Sequence, residues 1–223
     1  MNILEEVFNL AGSFICHQLP SRSLYAGNMM LPVCARDTGI YAGIFSSVLF
    51  LLLFRRMKAQ KPPGTAVSVF MCVFMLPMII DGLLSYTGVI ETNNITRLFT
   101  GALFGIPIPF FLVPAARFNI HGTNDKAILK SAAELVLAYV AAIFICLLLL
   151  KGLMPYVATG LIFITGFLFL LTRLSYTIFA RMGRFRQKAL YAVTCCTTLC
   201  MLIFLFLIST FILQPLKTIL LGG

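Results

Sequence analysis

Apolar residues along this chain gather in blocks of about 20, separated by short polar stretches. A bilayer's hydrocarbon core is about 30 Å thick and a helix rises about 1.5 Å per residue, so blocks of this length predict transmembrane helices. Six are predicted, over roughly Leu31–Phe54, Gly64–Ile90, Thr96–Phe118, Ile128–Leu150, Met154–Leu171 and Ala189–Leu213. The first stops at Arg55-Arg56 and the second follows Pro62-Pro63. Ahead of them, Ile3, Val7, Leu10, Phe14 and Ile15 fall near helical spacing in a stretch too polar to span. That stretch, Ile3–Leu19, predicts an interfacial or re-entrant helix capping the bundle. The expected fold class is an all-α integral membrane protein: residues 1–30 form an extracytoplasmic interfacial segment and residues 31–223 a six-helix bundle.

Composition agrees with the pattern. Of 223 residues, 60% are hydrophobic and 11% charged, against about 25% charged in a soluble domain. The net charge of +10 does not point to nucleic acid, because the basic residues sit in short loops, where they act as topology signals. Arg55, Arg56, Lys58 and Lys61 occupy the first loop, and Arg117, Lys126 and Lys130 the third. The fifth holds Arg173, Arg181, Arg184, Arg186 and Lys188, making 12 of the 17 basic residues. Arg22, Arg36, Arg97, Lys151 and Lys217 are left for the other side. Basic loops stay in the cytoplasm, so both termini are expected outside. The expected setting is a multi-pass cell-membrane protein with membrane lipid as its constant partner, no nucleic acid, and an oligomer compatible with the sequence. The fifth loop, Tyr176–Phe179 followed by its arginines, predicts an amphipathic interface segment drawn to anionic lipid. Glu5 and Glu6 stand where a cleavable leader would be basic, so none is expected.

The polar residues among these spans carry the chemistry, since an ionised side chain within a span costs about 2.5–3.5 kcal/mol on insertion scales. Arg36 and Asp37 begin the first span, and Asp81 lies in the outer half of the second. Glu91, Asn94 and Arg97 form the loop into the third span, and Cys16, His17 and Gln18 end the N-terminal segment. Loop charge alone sets the expected orientation, and all of these residues fall on its outer side. Cys34 is one helical turn before Asp37, and Tyr41 one turn after it. Gly39 with Gly43 and Gly101 with Gly105 form two G-x-x-x-G pairs of the kind that lets helices pack closely in lipid. Pro107 and Pro109 interrupt the third span, giving a kink or a cavity. Glu134 stands apart and is expected to pair with Lys130, while His121 lies in a turn-rich, solvated loop. Asn94-Ile-Thr matches a glycosylation sequon common by chance.

Two chemistries fit the outer cluster. Cys16, His17, Cys34 and Asp37 are donors suited to a transition metal such as zinc; a Cys16–Cys34 disulfide is the competing arrangement in an oxidising compartment. Alternatively Asp37, Asp81 and Glu91 pair with Arg36 and Arg97, with Asn94 and Gln18 beside them, in a polar cavity for a solute. No H-E-x-x-H, G-x-S-x-G or phosphate loop is present.

Cys16-His17-Gln18-Leu19-Pro20-Ser21-Arg22-Ser23, followed by Pro32-Val33-Cys34-Ala35-Arg36-Asp37-Thr38-Gly39-Ile40-Tyr41, resembles the signature of an uncharacterised prokaryotic family of multi-pass membrane proteins. Asp81-Gly82, Glu91–Arg97 and Thr100-Gly101 are similar to its second block. The resemblance implies a membrane domain of unknown function with Cys where this chain has Asp37. A dithiol redox pair needs the second thiol, so that departure counts against oxidoreductase chemistry, whereas a carboxylate can replace a thiolate on zinc. The first expectation is a transporter or channel for a small ion or solute. The alternatives are a metal-dependent enzyme acting on a lipid or lipid-linked substrate, and a non-catalytic membrane component.

Overall fold

The computed structural model describes residues 3–120, 122–183 and 186–213. His121, Arg184 and Lys217, weighed above as loop or terminal charges, lie outside the described residues. Among the described residues six spans are long and apolar enough to cross a membrane. They are α2 (Ala35–Leu53), α3 (Thr65–Tyr86), the stacked pair α4 (Asn94–Gly105) and α5 (Pro107–Ala115), α6 (Ala132–Leu150), α7 (Tyr156–Met182) and α8 (Gln187–Ile208). A shorter helix, α1 (Ile3–Ser13), precedes them.

The bundle is organised around α2 and α4, which pack more extensively than any other pair of elements. Glycine is the reason. A Cβ on Gly39 would strike the Leu98 carbonyl, and one on Gly101 would strike the Arg36 carbonyl; Gly43 and Gly105 face backbone in the same way. The two G-x-x-x-G pairs therefore mesh, and backbone-to-backbone approach supplies the dispersion contact that drives helix association in lipid. By contrast, only 11% of the α3 and α8 spans is buried, so these helices present their apolar faces to lipid.

Chain breaks and caps follow local chemistry. Pro107 and Pro109 lack the N–H groups that would continue the ladder, and α4 gives way to α5 at Ile106. The Ser47 hydroxyl donates to the Ile106 carbonyl at 2.9 Å, and Ile106, Pro107, Pro109 and Phe110 are all buried. The interruption is a packed kink. Asn93 caps α4 by accepting from the Thr96 N–H at 2.8 Å. Ser131 caps α6 by accepting from the Glu134 N–H at 3.4 Å, the S-x-x-E pattern of a capping box.

Four sequence expectations are revised. The first span begins at Ala35 rather than Leu31, because Ser23–Ala26 (β1) and Met29–Cys34 (β2) form an antiparallel hairpin. Gly27 takes the positive φ, +62°, that its two-residue turn requires. The fifth span runs to Met182 rather than Leu171. Arg173 and Arg181 thus belong to α7, where they donate to carbonyls left free at the end of α5: Val113 at 2.8 Å for Arg173, and Ala115 at 2.8 Å and Phe118 at 3.1 Å for Arg181. Tyr176–Phe179 is likewise helical, not loop. Finally, Glu134 pairs with Arg56 at 3.0 Å and accepts only the backbone N–H of Lys130; the Arg56 guanidinium reaches it across the bundle end.

The hairpin and α1 close one end of the bundle. Phe8 is buried against Gly160 and Tyr156 of α7. Gln18, itself at φ +51°, donates its amide to the Asn9 and Pro32 carbonyls at 2.9 Å each, binding α1 to β2. Ile3, Leu4, Val7 and Leu10 are left exposed on α1, an apolar stripe suited to the interface.

Candidate functional site

A cavity of about 550 Å³ opens at this hairpin end. Cys16, Cys34 and Asp37 line one wall, and Gln18, His17, Arg22, Arg36 and Arg97 surround them. The opposite wall is apolar, formed by Met78, Ile79, Leu83 and Tyr86 of α3. Ile79, Leu83 and Tyr86 are among the exposed apolar side chains of α3, a span only 11% buried.

The fold assembles the donors as follows. The hairpin sets Cys34 opposite Ser23 and delivers it as the N-cap of α2. Asp37 sits in the first turn of α2, where the helix dipole favours negative charge. The chain after α1 then returns Cys16 to the same place: its Sγ accepts the Cys34 N–H at 3.2 Å and the Gln18 N–H at 3.5 Å. Cys34 Sγ lies 3.1 Å from Asp37 Oδ2. One donor atom from each of the three residues lies within 4.8 Å of the others.

These contacts polarise the two thiols in opposite directions. The pKa of Cys16 is lowered, first by the hydrogen bond from the Cys34 thiol and then by the backbone N–H groups of Gln18 and Cys34, against desolvation. Cys34 is raised far above the ordinary thiol range by that same hydrogen bond, by desolvation, and by the charges of Asp37 and Cys16. The two thiols and the Asp37 carboxyl form a hydrogen-bonded set that a bound cation would convert to three anionic donors. Ligands of a tetrahedral zinc stand about 3.5–3.8 Å apart, given metal–ligand bonds of 2.0–2.3 Å, so a small side-chain rotation closes the set around an ion. The residues present fit the group.

The remaining predicted residues divide. Arg36 donates through Nη2 (2.5 Å) and Nε (3.2 Å) to Asp81 Oδ2, so Asp81 is held in an ion pair and does not line the cavity. Arg97 is buried yet bonded only to neutral oxygens: Thr92 Oγ1 at 3.1 Å, Asn94 Oδ1 at 3.4 Å and Ser85 Oγ at 3.4 Å. Asn94 also donates to the Ser21 and Ser23 carbonyls, tying α4 to the hairpin. His17 is on the rim, exposed, and outside the three-donor group. Glu91 is exposed in the α3–α4 loop and does not line the cavity. Arg22, which the sequence offered only as a topology charge, is a lining residue; its place inside the Cys16–Ser23 motif was the available signal. Below Asp37, Tyr41 is buried edge-on to Phe163 and Phe167, with ring centroids at 5.2 and 6.0 Å.

A family model described as a predicted membrane protein, DUF2085, matches residues 16–111. The chain is 35% identical over 94 residues to an uncharacterized protein of Methanothermobacter thermautotrophicus, a match covering 42% of this chain and 79% of that one. The chain belongs to the DUF2085 family. It is also 30% identical over 102 residues to an uncharacterized protein of Methanocaldococcus jannaschii, a match covering 46% of this chain and 64% of that one, and so spans less than two thirds of that relative's length. No solved structure matches. The matched stretch contains every residue of the predicted site and ends within α5. The family resemblance carried by Cys16–Ser23 and Pro32–Tyr41 is therefore membership, and the protein is a multi-pass membrane protein.

Proposed function

We propose that the cavity faces the outside of the cell, holds a divalent transition metal on Cys16, Cys34 and Asp37, and binds an anionic group of a membrane-partitioned substrate. The observation that supports this most directly is the convergence of three donors within 4.8 Å on the wall of a 550 Å³ cavity. Three protein donors leave a fourth tetrahedral position open, as in catalytic rather than structural zinc sites. When bound, the metal would polarise an oxygen of the substrate or of a water at that position.

The charges around the donors select the ligand. Two thiolates and a carboxylate around a divalent ion leave one negative charge, while Arg97 and Arg22 contribute two positive charges that no carboxylate among the described residues pairs with. An anionic headgroup fits this balance, and a freely passing cation does not. The apolar wall from α3, a little-buried span, suits the acyl part of an amphiphile. Gln18 orders the segment carrying Cys16, and Arg36 with Asp81 holds α3 in place; both position the site. These features favour action on a lipid or lipid-linked substrate at the outer leaflet over conduction. A carrier would further need a route past Tyr41 and the glycine-packed α2–α4 seam.

Binding of a fluorescent short-chain phosphatidate to nanodisc-embedded protein tests the proposal. Zinc loading is expected to tighten binding, and chelation, Arg97→Gln and the half-buried lining variant Arg22→Gln to weaken it. Binding indifferent to metal and to both arginines would sink the reading.

A further inference from the structure

The opposite end of the bundle carries a second pocket, of about 490 Å³, lined by Phe54, Arg55, Arg56, Lys58, Ala59, Asp125, Lys126, Ala127 and Lys130. Its two halves come from the α2–α3 and α5–α6 loops, which are fastened together. Gln60 and Lys61 donate backbone N–H groups to the Lys126 carbonyl at 2.8 and 3.0 Å, and the Ile128 N–H donates to the Lys61 carbonyl at 3.1 Å. Arg56 reinforces the seam: Nη1 donates to the Ala127 carbonyl at 2.9 Å and Nη2 pairs with Glu134 at 3.0 Å. Arg56 is thereby neutralised and structural. Arg55, Lys58, Lys126 and Lys130 remain, with no ion pair among the described residues and Asp125 as the one acid in the lining.

Arg55 adds an observation independent of charge. The N–H of Arg55 bonds to the Leu52 carbonyl at 3.1 Å and that of Arg56 to the Leu51 carbonyl at 2.7 Å, the Schellman ending of α2. The residue at the Arg55 position of this motif is left-handed and is usually glycine; Arg55 adopts φ +54°. A bulky residue in that region carries strain that the surrounding structure must offset, and such outliers gather at binding sites. Here the strained residue is a cation lining a preformed basic pocket.

We propose that this pocket binds a phosphate-class anion. Four unpaired cations against one carboxylate give a net positive lining, and guanidinium and ammonium groups on two rigid loops match the several oxygens of a phosphate. Basic pockets between helix ends at the membrane surface take anionic lipid headgroups. Phe54 in the lining, with Leu52 and Leu53 exposed just before it, places the pocket at the boundary where such a headgroup lies. Free phosphate shares the same chemistry. The site does not depend on the metal cavity at the other end.

Nanodiscs mixing phosphatidylglycerol with phosphatidylcholine, read by native mass spectrometry with and without excess inorganic phosphate, provide the test. Wild type is expected to retain phosphatidylglycerol preferentially. Arg55→Gly is the decisive variant, because it removes a cation and supplies the residue that the left-handed position favours. It should bind about tenfold more weakly, the effect of losing one charge-assisted contact, while its thermal midpoint holds or rises. Lys126→Gln should weaken binding similarly, and Lys188→Gln, an exposed cation outside the pocket, should not. Displacement by inorganic phosphate would make free phosphate the ligand, and retention against it would make the lipid headgroup the ligand. Retention unchanged in Arg55→Gly with Lys126→Gln, or weakened as much by Lys188→Gln, would overturn the proposal, as would wild type that retains neither ligand.

Discussion

Removing Asp81 should destabilise the protein by about 3 kcal/mol or more, and removing Arg36 along with it should restore most of the loss. The side chains of Arg36 and Asp81 are only 13% and 6% exposed, and Arg36 places two nitrogens on one carboxylate oxygen. Breaking a buried pair of this kind by deleting one partner costs about 3–5 kcal/mol, chiefly because the survivor is left charged and unpaired; replacing both with apolar residues is often neutral. α3 is otherwise little buried, so the pair is a principal tie between its C-terminal half and α2. Asp81→Leu, Arg36→Met and the double variant should be compared by reversible unfolding in mixed micelles, as a double-mutant cycle. The expected result is a severe loss in Asp81→Leu, a double variant within about 1 kcal/mol of wild type, and a coupling energy of about 2 kcal/mol or more. Single variants each within about 0.5 kcal/mol of wild type, the range of an ordinary surface substitution, would refute the reasoning. The double variant also separates roles: if Asp81 served a solute or proton directly, function would be lost even where stability returns.

Three further outcomes follow from the same geometry. Gly101→Val should abolish the close α2–α4 approach and lower stability by more than the roughly 1–3 kcal/mol of ordinary overpacking, whereas Gly64→Ala, where an added Cβ meets nothing within 4 Å, should be tolerated; thermal unfolding of the purified variants distinguishes them. Oxidation with diamide should join Cys16 to Cys34 and remove metal binding, and dithiothreitol should restore it; metal retained by a protein shown by mass spectrometry to carry that disulfide would contradict the ligand assignment. Metal affinity should rise with pH through the neutral range. Cys34 is held protonated by its raised pKa, so ion binding must release that proton, and each released proton contributes up to about tenfold in affinity per pH unit; calorimetry in buffers of different ionisation enthalpy counts the protons.

The spans were legible because twenty-residue apolar blocks leave little choice in lipid, and the glycine pairs announced the helices that carry them. The hairpin was hidden for a specific reason: Met29–Cys34 is an apolar run continuous with α2, and only Gly27-Asn28 hinted at a turn. The length of α7 was hidden because Arg173 and Arg181 look like loop charges; their long side chains instead reach carbonyls that Pro114 and the end of α5 leave free. Ser131 and Glu134 carried a readable capping signal, but the Arg56 partner, 78 residues away, did not. At the site, Cys34 and Asp37 were visible as one helical turn. The return of Cys16 to them depends on Gln18 and the hairpin register, which no local pattern encodes.

The most direct test is elemental analysis of protein purified under reducing conditions without chelators, wild type against Cys34→Ser and Asp37→Ala, with circular dichroism to show that each is folded. Wild type should carry about one transition-metal ion per chain, as a single three-donor site holds, and each folded variant should lose it. Folded, reduced wild type that remains free of metal after incubation with zinc, or variants that keep it, would contradict the assignment of Cys16, Cys34 and Asp37 as a metal site.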